Sequence, residues 1–244
     1  MMKFNFPLIA ALAVLGTACA DNQESLIVLL APAWDTPGEC LIQASSEVAL
    51  TRGILDLSYG TPYAMPAILL NNAAEQGAND NNSGVVSNEI QLLDADVDLS
   101  MAQAPDIIDD LRATNGGLVS FNVPLSQNSL LPGASAGVLV EVIPQQTSAA
   151  LADAIMAQFG AEAKLTVEAH VQFHASRSGN NIGKLGGIDA REFSFPISVC
   201  FGCLGSCATC PAAMCPVGNS EWAGGICGNA QDFTVYPAAC DPPG

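Results

Sequence analysis

Nine cysteines are the residues whose type and spacing point most directly to chemistry in this 244-residue chain. Cys19 lies near the N-terminus and Cys40 follows it, whereas the other seven are grouped near the C-terminus. These seven are Cys200, Cys203, Cys207, Cys210, Cys215, Cys227 and Cys240. The eight cysteines after Cys19 form an even set, as expected for a disulfide-bonded protein in an oxidising compartment.

Parity connects Cys40 to the C-terminal segment. Seven cysteines cannot all pair with one another, so Cys40 must bond to one of them if every thiol after Cys19 is oxidised. We expect four disulfides, with Cys200 or Cys203 as the partner of Cys40, because both are next to the last predicted strand. Residues 200–244 are rich in Gly, Pro and Ala and have no hydrophobic periodicity. Such a segment needs covalent cross-links in place of a core.

A metal site is the alternative use of these cysteines. The pairs Cys200/Cys203 and Cys207/Cys210 resemble a zinc or iron–sulfur ligand set, and Cys210-Pro211 resembles the end of a bacterial ferredoxin motif. However, ferredoxins space their cysteines differently, and structural zinc sites separate the two pairs by roughly 12–20 residues. We therefore expect disulfides, with no metal and no other cofactor, and keep a metal or redox protein as the alternative.

The strands of the domain that precedes the C-terminal cysteines are indicated by a period of two in hydrophobicity. The clearest alternation covers residues 165–175, and others cover 93–99, 119–125, 138–143 and 193–199. Less regular candidates are 26–30, 41–50, 54–58 and 63–70. Helices are expected at 105–111 and at 147–159, the second with Leu151, Ile155 and Phe159 on its buried face. This pattern predicts an all-β fold, an antiparallel immunoglobulin-like β-sandwich with one or two short helices and a disulfide-rich C-terminal tail.

The first 20 residues have the composition of a secretory signal. Lys3 supplies the positive charge, and residues 4–15 form an apolar run that is too short to cross a membrane, which takes ~20 residues. The sequence LGTAC at 15–19 resembles the lipobox of bacterial lipoproteins. This resemblance implies that Cys19 is acylated and becomes the new N-terminus. Cleavage after Ala20 would instead release a soluble periplasmic or secreted protein.

Taken together, the lipobox-like start, the strand pattern and the cysteine-rich end resemble the predicted lipoproteins that are abundant in myxobacteria-type genomes. The resemblance implies a protein anchored by lipid at the outer membrane or cell surface, and implies no known activity. We divide the chain into a signal peptide (1–20), a β-sandwich domain (21–199) and a cysteine-rich tail packed on the sandwich (200–244).

The charge of the chain limits its partners. Twenty-four acidic residues against seven basic ones give a formal net charge of −17, and such a surface repels phosphate backbones. We therefore expect no nucleic-acid binding. The partners we expect are the membrane, through the lipid anchor, and a protein or glycan at the cell surface. The predicted role is structural, adhesive or recognition, without enzyme activity.

Three patterns remain that could carry other chemistry. The sequence GASAG at 133–137 matches the G-x-S-x-G elbow of hydrolases, and Asp153 and His170 follow Ser135 in the right order. A turn before Ser135 and a strand after it disagree with that motif, so an exported serine hydrolase is an alternative only. His170 and His174 lie ~13 Å apart on the solvated face of one strand, too far to share a metal, and we expect them to be plain surface residues. A row of acids, Asp94, Asp96 and Asp98, could bind a cation weakly.

Overall fold

A computed structural model describes residues 25–34, 42, 44, 46, 48–73, 88–126, 129–177, 185–205, 222–224, 229–233 and 235–237. The predicted signal peptide and lipidation site at Cys19 lie outside the described residues. So do Cys40 and the tail cysteines Cys207, Cys210, Cys215, Cys227 and Cys240. The predicted division into three segments is therefore carried forward as a prediction.

Strands make up 49% of the described structure, and the sheets curl into a half-barrel. One sheet has three strands in the order β1, β3, β7, and a larger one has the order β2, β10, β8, β4, β5, with β6 on β4 and β9 on β8. A short β11–β12 pair lies in the tail. The strands are β1 (Leu26–Leu30), β2 (Gly53–Asp56), β3 (Tyr63–Asn71), β4 (Ile90–Ser100), β5 (Ser120–Pro124), β6 (Ser129–Leu130), β7 (Ser135–Ile143), β8 (Leu165–Arg177), β9 (Leu185–Asp189), β10 (Phe193–Cys200), β11 (Trp222–Gly224) and β12 (Val235–Pro237).

Two helices accompany the sheets. Helix α1 (Pro105–Thr114) begins with proline, whose missing N–H costs nothing in the first turn. Helix α2 (Gln145–Phe159) ends at Gly160, which has a φ of 76° that favours glycine. Leu151 and Ile155 are buried as predicted. Phe159, in contrast, is 44% exposed. It is the last residue of α2 and lies outside the core cluster that contains Leu151 and Ile155.

A single hydrophobic core receives side chains from both sheets and both helices. On β8 five of the six apolar positions of the alternating pattern are fully or almost fully buried, namely Val167, Ala169, Val171, Phe173 and Ala175, whereas Leu165 at the start of the strand is partly buried. The polar positions between them are only partly buried. The prediction of an all-β fold with two short helices is therefore confirmed, and the period of two identifies the buried face of its central strand.

Two predictions about strands are wrong for the residues described. First, β2 and β10 are parallel, whereas the other strand pairs in the described parts are antiparallel. These two strands are distant in sequence, so no tight hairpin fixes their relative direction. Second, the described residues of the strand predicted at 41–50, which are 42, 44, 46 and 48–50, form no strand, while residues 41, 43, 45 and 47 lie outside the described part of the chain. Only a single bridge joins Ala49 to Pro32.

The tail attaches to β2 and β3 through buried polar side chains. Gln231 is completely buried, and its amide exchanges two hydrogen bonds with the backbone of Ala64, at 2.8 and 2.9 Å. Asp232 accepts from the backbone N–H of Ile54, from Trp34 Nε1 and from the hydroxyl of Tyr63. Burial raises the pKa of Asp232, although these donors oppose that effect. The side chains of Gln231 and Asp232 therefore satisfy backbone groups of Ala64 and Ile54.

One disulfide is described, and it joins Cys200 to Cys203. The expectation that one of these two cysteines bonds to Cys40 is therefore wrong. The physical reason is local: Gly202 has a φ of 67°, so the chain turns back at once after β10 and brings the two cysteines together. Since five tail cysteines remain, a bond from Cys40 to one of them stays a prediction.

The core predicts a sharp contrast between two phenylalanines. Phe173 is completely buried on β8, so Phe173→Ala should lower the free energy of unfolding by about 3–5 kcal/mol through lost contacts and the cavity left behind. Phe159→Ala is the matched control, because this side chain is half-exposed, and it should cost less than about 1 kcal/mol. Urea denaturation of both variants measures the difference. Equal losses would contradict the assignment of the core.

Candidate functional site

The polar face of the large sheet brings together the acids and histidines singled out in the sequence. Antiparallel register places Asp94 opposite His174 and Asp98 opposite His170, and Asp96 between Asn122 and Gln172. Strands β9 and β10 extend the same rows with Asp189, opposite His174, and Ser194, opposite His170. Side chains directly opposite each other on one face are in contact range. We call this surface the acidic face.

A β-bulge puts the aspartates on the solvent side. Leu92 and Ala95 are both buried although they lie three positions apart, and such positions face opposite sides in a regular strand. The register of β4 against β8 shifts between Leu92 and Asp94, which leaves Leu93 as the extra residue. If β4 instead continued through Leu93 with regular alternation, the three aspartates would lie on the same face as Leu92 and point into the core.

Carboxylates from two strands hold His174. Its Nδ1 lies 2.7 Å from Asp189 Oδ1, and its Nε2 lies 3.1 Å from Asp96 Oδ2. Burial by itself lowers the pKa of His174, but the hydrogen bonds and charges of the two aspartates outweigh it, so the pKa rises above the ordinary 6.5. A protonated imidazole donates from both nitrogens, which satisfies both contacts.

His170 lies four residues before His174 on the same face of β8 and has its own partners. Its Nε2 lies 3.0 Å from Ser100 Oγ, and its Nδ1 lies 3.0 Å from Ser194 Oγ and 3.1 Å from Glu192 Oε1. The side chains of His170 and His174 are only 27% and 23% exposed. The expectation of plain surface histidines is corrected accordingly, because sequence alone does not reveal neighbours on adjacent strands.

Asn122 links Asp94 and Asp96. Its Nδ2 donates to Asp94 Oδ1 at 3.0 Å and to Asp96 Oδ1 at 2.9 Å. This hydrogen bond lowers the pKa of Asp96, burial opposes it, and His174 adds a further lowering. The amide therefore allows two carboxylates to lie close together. Sequence reasoning missed Asn122, for which the only available signal was its position on a predicted polar strand face.

A groove of about 370 Å³ runs along the acidic face. Its floor is formed by the middle of β4, β5 and β8, and Glu192 lies at one side. The lining includes three carboxylates and no lysine or arginine; its residues are Asp96, Val97, Asp98, Ser120, Phe121, Asn122, His170, Gln172 and Glu192. Arg112 of α1 forms an ion pair with Asp98 at 3.2 Å, at the border of the groove. The groove therefore has a negative potential and many hydrogen-bonding groups.

The same face contains a set of donor atoms suited in type to a divalent metal. Asp94, Asp96 and His174 each offer one ligand atom, and these atoms lie within 4.8 Å of one another. Mixed carboxylate and imidazole ligands suit divalent transition metals. In the structure, hydrogen bonds from Asn122 and contacts with His174 already satisfy these carboxylates.

The hydrolase alternative finds no matching geometry in the described parts of the chain. Ser135 is the first residue of β7 and pairs with Leu70, so a strand follows it where the hydrolase elbow has a helix. Asp153 is exposed on α2. The described polar partners of His170 are Ser100, Ser194 and Glu192, and they include neither member of the proposed triad.

Comparison with known proteins leaves the site to be interpreted from its own chemistry. No protein-family model and no curated protein matches this chain. Within the described residues, no helix is long and apolar enough to cross a membrane.

The environment of His174 predicts a pH-dependent contribution to stability. Because its pKa is raised in the folded state, this contribution is complete below pH 6.5 and disappears as the pH rises through the folded pKa. His174→Gln should therefore reduce the free energy of unfolding more at pH 5.5 than at pH 9, by up to about 1 kcal/mol. Chemical denaturation at the two pH values measures this difference. Gln172→Ala, which changes a non-titrating neighbour, should show the same loss at both, and a pH-independent loss in His174→Gln would refute the prediction.

Proposed function

We propose that this protein is a non-enzymatic recognition lipoprotein of the bacterial cell envelope. In this proposal an immunoglobulin-like β-sandwich is carried at the outer membrane or cell surface by lipid on Cys19. The lipobox-like sequence at 15–19, the even set of cysteines and the net charge of −17 support this location. The acidic face is the surface through which the sandwich binds its partner.

The observation that carries the proposal is the groove of about 370 Å³ on this face. Its volume lies within the range of ligand sites, ~300–1,000 Å³, and accommodates one or two extended side chains. Asp96 and Glu192 supply negative charge, Asp98 is paired with Arg112, and Asn122 and Gln172 supply amide groups. The complementary ligand carries ammonium or guanidinium groups. We therefore propose a basic segment of a protein as the partner, with lysine or arginine side chains in the groove.

The exposure of the carboxylates supports binding rather than a structural role. Asp96, Glu192 and Asp189 are 60–63% exposed although each contacts a histidine. Their remaining lone pairs are accessible to a donor from outside. A cation that approaches the groove also relieves the repulsion between carboxylates on the same strand.

A charge-matched pair of variants tests this ligand class. Asp96→Asn combined with Glu192→Gln removes two charges from the groove, and Asp110→Asn combined with Asp153→Asn removes two exposed charges from the helices. Binding of an oligolysine peptide, measured by fluorescence anisotropy at low salt, should weaken at least about tenfold in the groove variant and hardly change in the control. Equal weakening in both would mean non-specific attraction by net charge. Binding of a neutral glycan in place of the peptide would overturn the cationic-ligand proposal.

The anchor has an independent test. Cys19→Ala should move the exported protein from the membrane fraction to the soluble fraction, because no other anchor is proposed. The wild-type protein should have the mass of a chain that starts at Cys19 with three acyl chains attached, enough for stable anchoring. Ala20→Ser keeps the lipobox-like residues 15–19 and should stay in the membrane fraction. A wild-type chain that starts at Asp21 would refute the anchor.

A further inference from the structure

Asp56 is a carboxylate that the fold buries completely. It ends β2, where its backbone N–H donates to Ala230 of the tail. A buried carboxylate is costly unless hydrogen-bond donors surround it. Its side chain has three described donors, and all of them are backbone N–H groups: Ser58 at 3.1 Å, Gly202 at 2.8 Å and Leu204 at 2.9 Å.

Two of these three donors belong to the short loop that follows β10. Gly202 and Leu204 donate to the two different oxygens of Asp56, so the loop holds the carboxylate from both sides. Gly202 also donates to Ser58 Oγ at 2.9 Å. Its φ of 67° is the left-handed conformation that directs this N–H inwards. The loop therefore has to keep one particular backbone shape to solvate Asp56.

The Cys200–Cys203 disulfide closes this same loop. Cys200 is 4% exposed at the end of β10, next to Asp56 in the parallel register. Cys203 is exposed, whereas its partner Cys200 is almost completely covered. Leu204, directly after it, is buried at 9% exposure. The exposed residue Cys203 thus lies between Gly202 and Leu204, the two residues whose N–H groups hold Asp56.

We propose that the Cys200–Cys203 disulfide is a thiol-sensitive latch. It controls whether the loop after β10, through Gly202 and Leu204, stays bound to Asp56. With the bond closed, the loop presents Gly202 and Leu204 to the carboxylate. With the bond open, the loop gains conformational freedom and these two donors separate from Asp56. The buried carboxylate then lacks two of its three described donors, which favours local opening of the end of β2.

The opening reaction needs only small-molecule thiols. A thiolate attacks the sulfur of Cys203, the exposed residue of the pair, forms a mixed disulfide there and releases Cys200 as a thiol after protonation. A second thiol attacks the mixed disulfide, releases Cys203 as a thiol and leaves as the oxidised small-molecule disulfide. Two electrons pass from the two small thiols to the protein, and the reverse reaction closes the latch.

Hydrogen exchange of the full chain tests the latch at the residues that define it. Cys200→Ala combined with Cys203→Ser removes only this bond. The amides of Gly202 and Leu204 should then exchange at least about tenfold faster. The amide of Ala64, which donates to Gln231 in the other attachment of the tail, should be unchanged. Unchanged exchange at Gly202 and Leu204 in a folded double variant would overturn the proposal.

A second variant separates the latch from simple loss of a cross-link. Asp56→Asn keeps the volume and the disulfide but replaces one acceptor oxygen by a donor. Its Gly202 and Leu204 amides should exchange faster with the bond intact, and removing the bond as well should add little, because both changes act on one contact. Additive effects would contradict the role of Asp56.

If the variants do not fold, the wild-type protein itself provides the test. Graded reduction with dithiothreitol followed by alkylation should modify Cys203 and Cys200 at the same reductant concentrations at which exchange at Gly202 rises. Modification without that rise would refute the latch.

Discussion

The register of β4 against β8 is the constraint on which the rest of the structure depends. Ten residue pairs join these two strands, from Ile90 opposite Arg177 to Ser100 opposite Glu168. Because side chains alternate between faces, this register decides at once which residues enter the core and which form the acidic face. The bulge at Leu93 is part of the same constraint, since it changes which face alternate residues of β4 occupy after the first few positions of the strand. A slip by one residue would bury aspartates and expose the apolar row that contains Phe173.

The protein uses carboxylates in two physically different ways. Asp94, Asp96 and Asp189 face solvent or are partly covered, and they balance their charges with a histidine and an amide. Asp56 is completely buried and Asp232 is partly buried, and they collect hydrogen bonds from backbone N–H groups, an indole and a phenol. The first group leaves accessible lone pairs that suit a cationic ligand. The second group uses its acceptors to connect the tail to the sheets.

Asp56 and the acidic face lie in different parts of the large sheet. The acidic face occupies β4, β5, β8 and β9, whereas Asp56 ends β2 at the opposite edge of the strand order. The edge strand β2 is covered on its outer side by tail residues, through the bridge from Leu55 to Gln231. Covering an edge in this way removes a row of unpaired backbone groups that could pair with another chain. The tail therefore protects the sheet that presents the acidic face.

The sequence by itself determined the longer strands, the buried positions of β8 and the two helices, because these follow from local periodicity and from Pro105 and Gly160 at helix ends. The short strands β6, β9, β11 and β12 leave no such periodic signal and were not predicted. It also determined that alternate acids and two histidines lie on solvated strand faces. Only the tertiary structure decided that His174 lies between Asp96 and Asp189, that Asn122 joins two aspartates and that β2 runs parallel to β10. It also decided that Cys200 pairs with Cys203 rather than with Cys40. The physical reason is that contacts between strands depend on register and strand order, which are fixed by packing of the whole core and leave no periodic signal in any single segment.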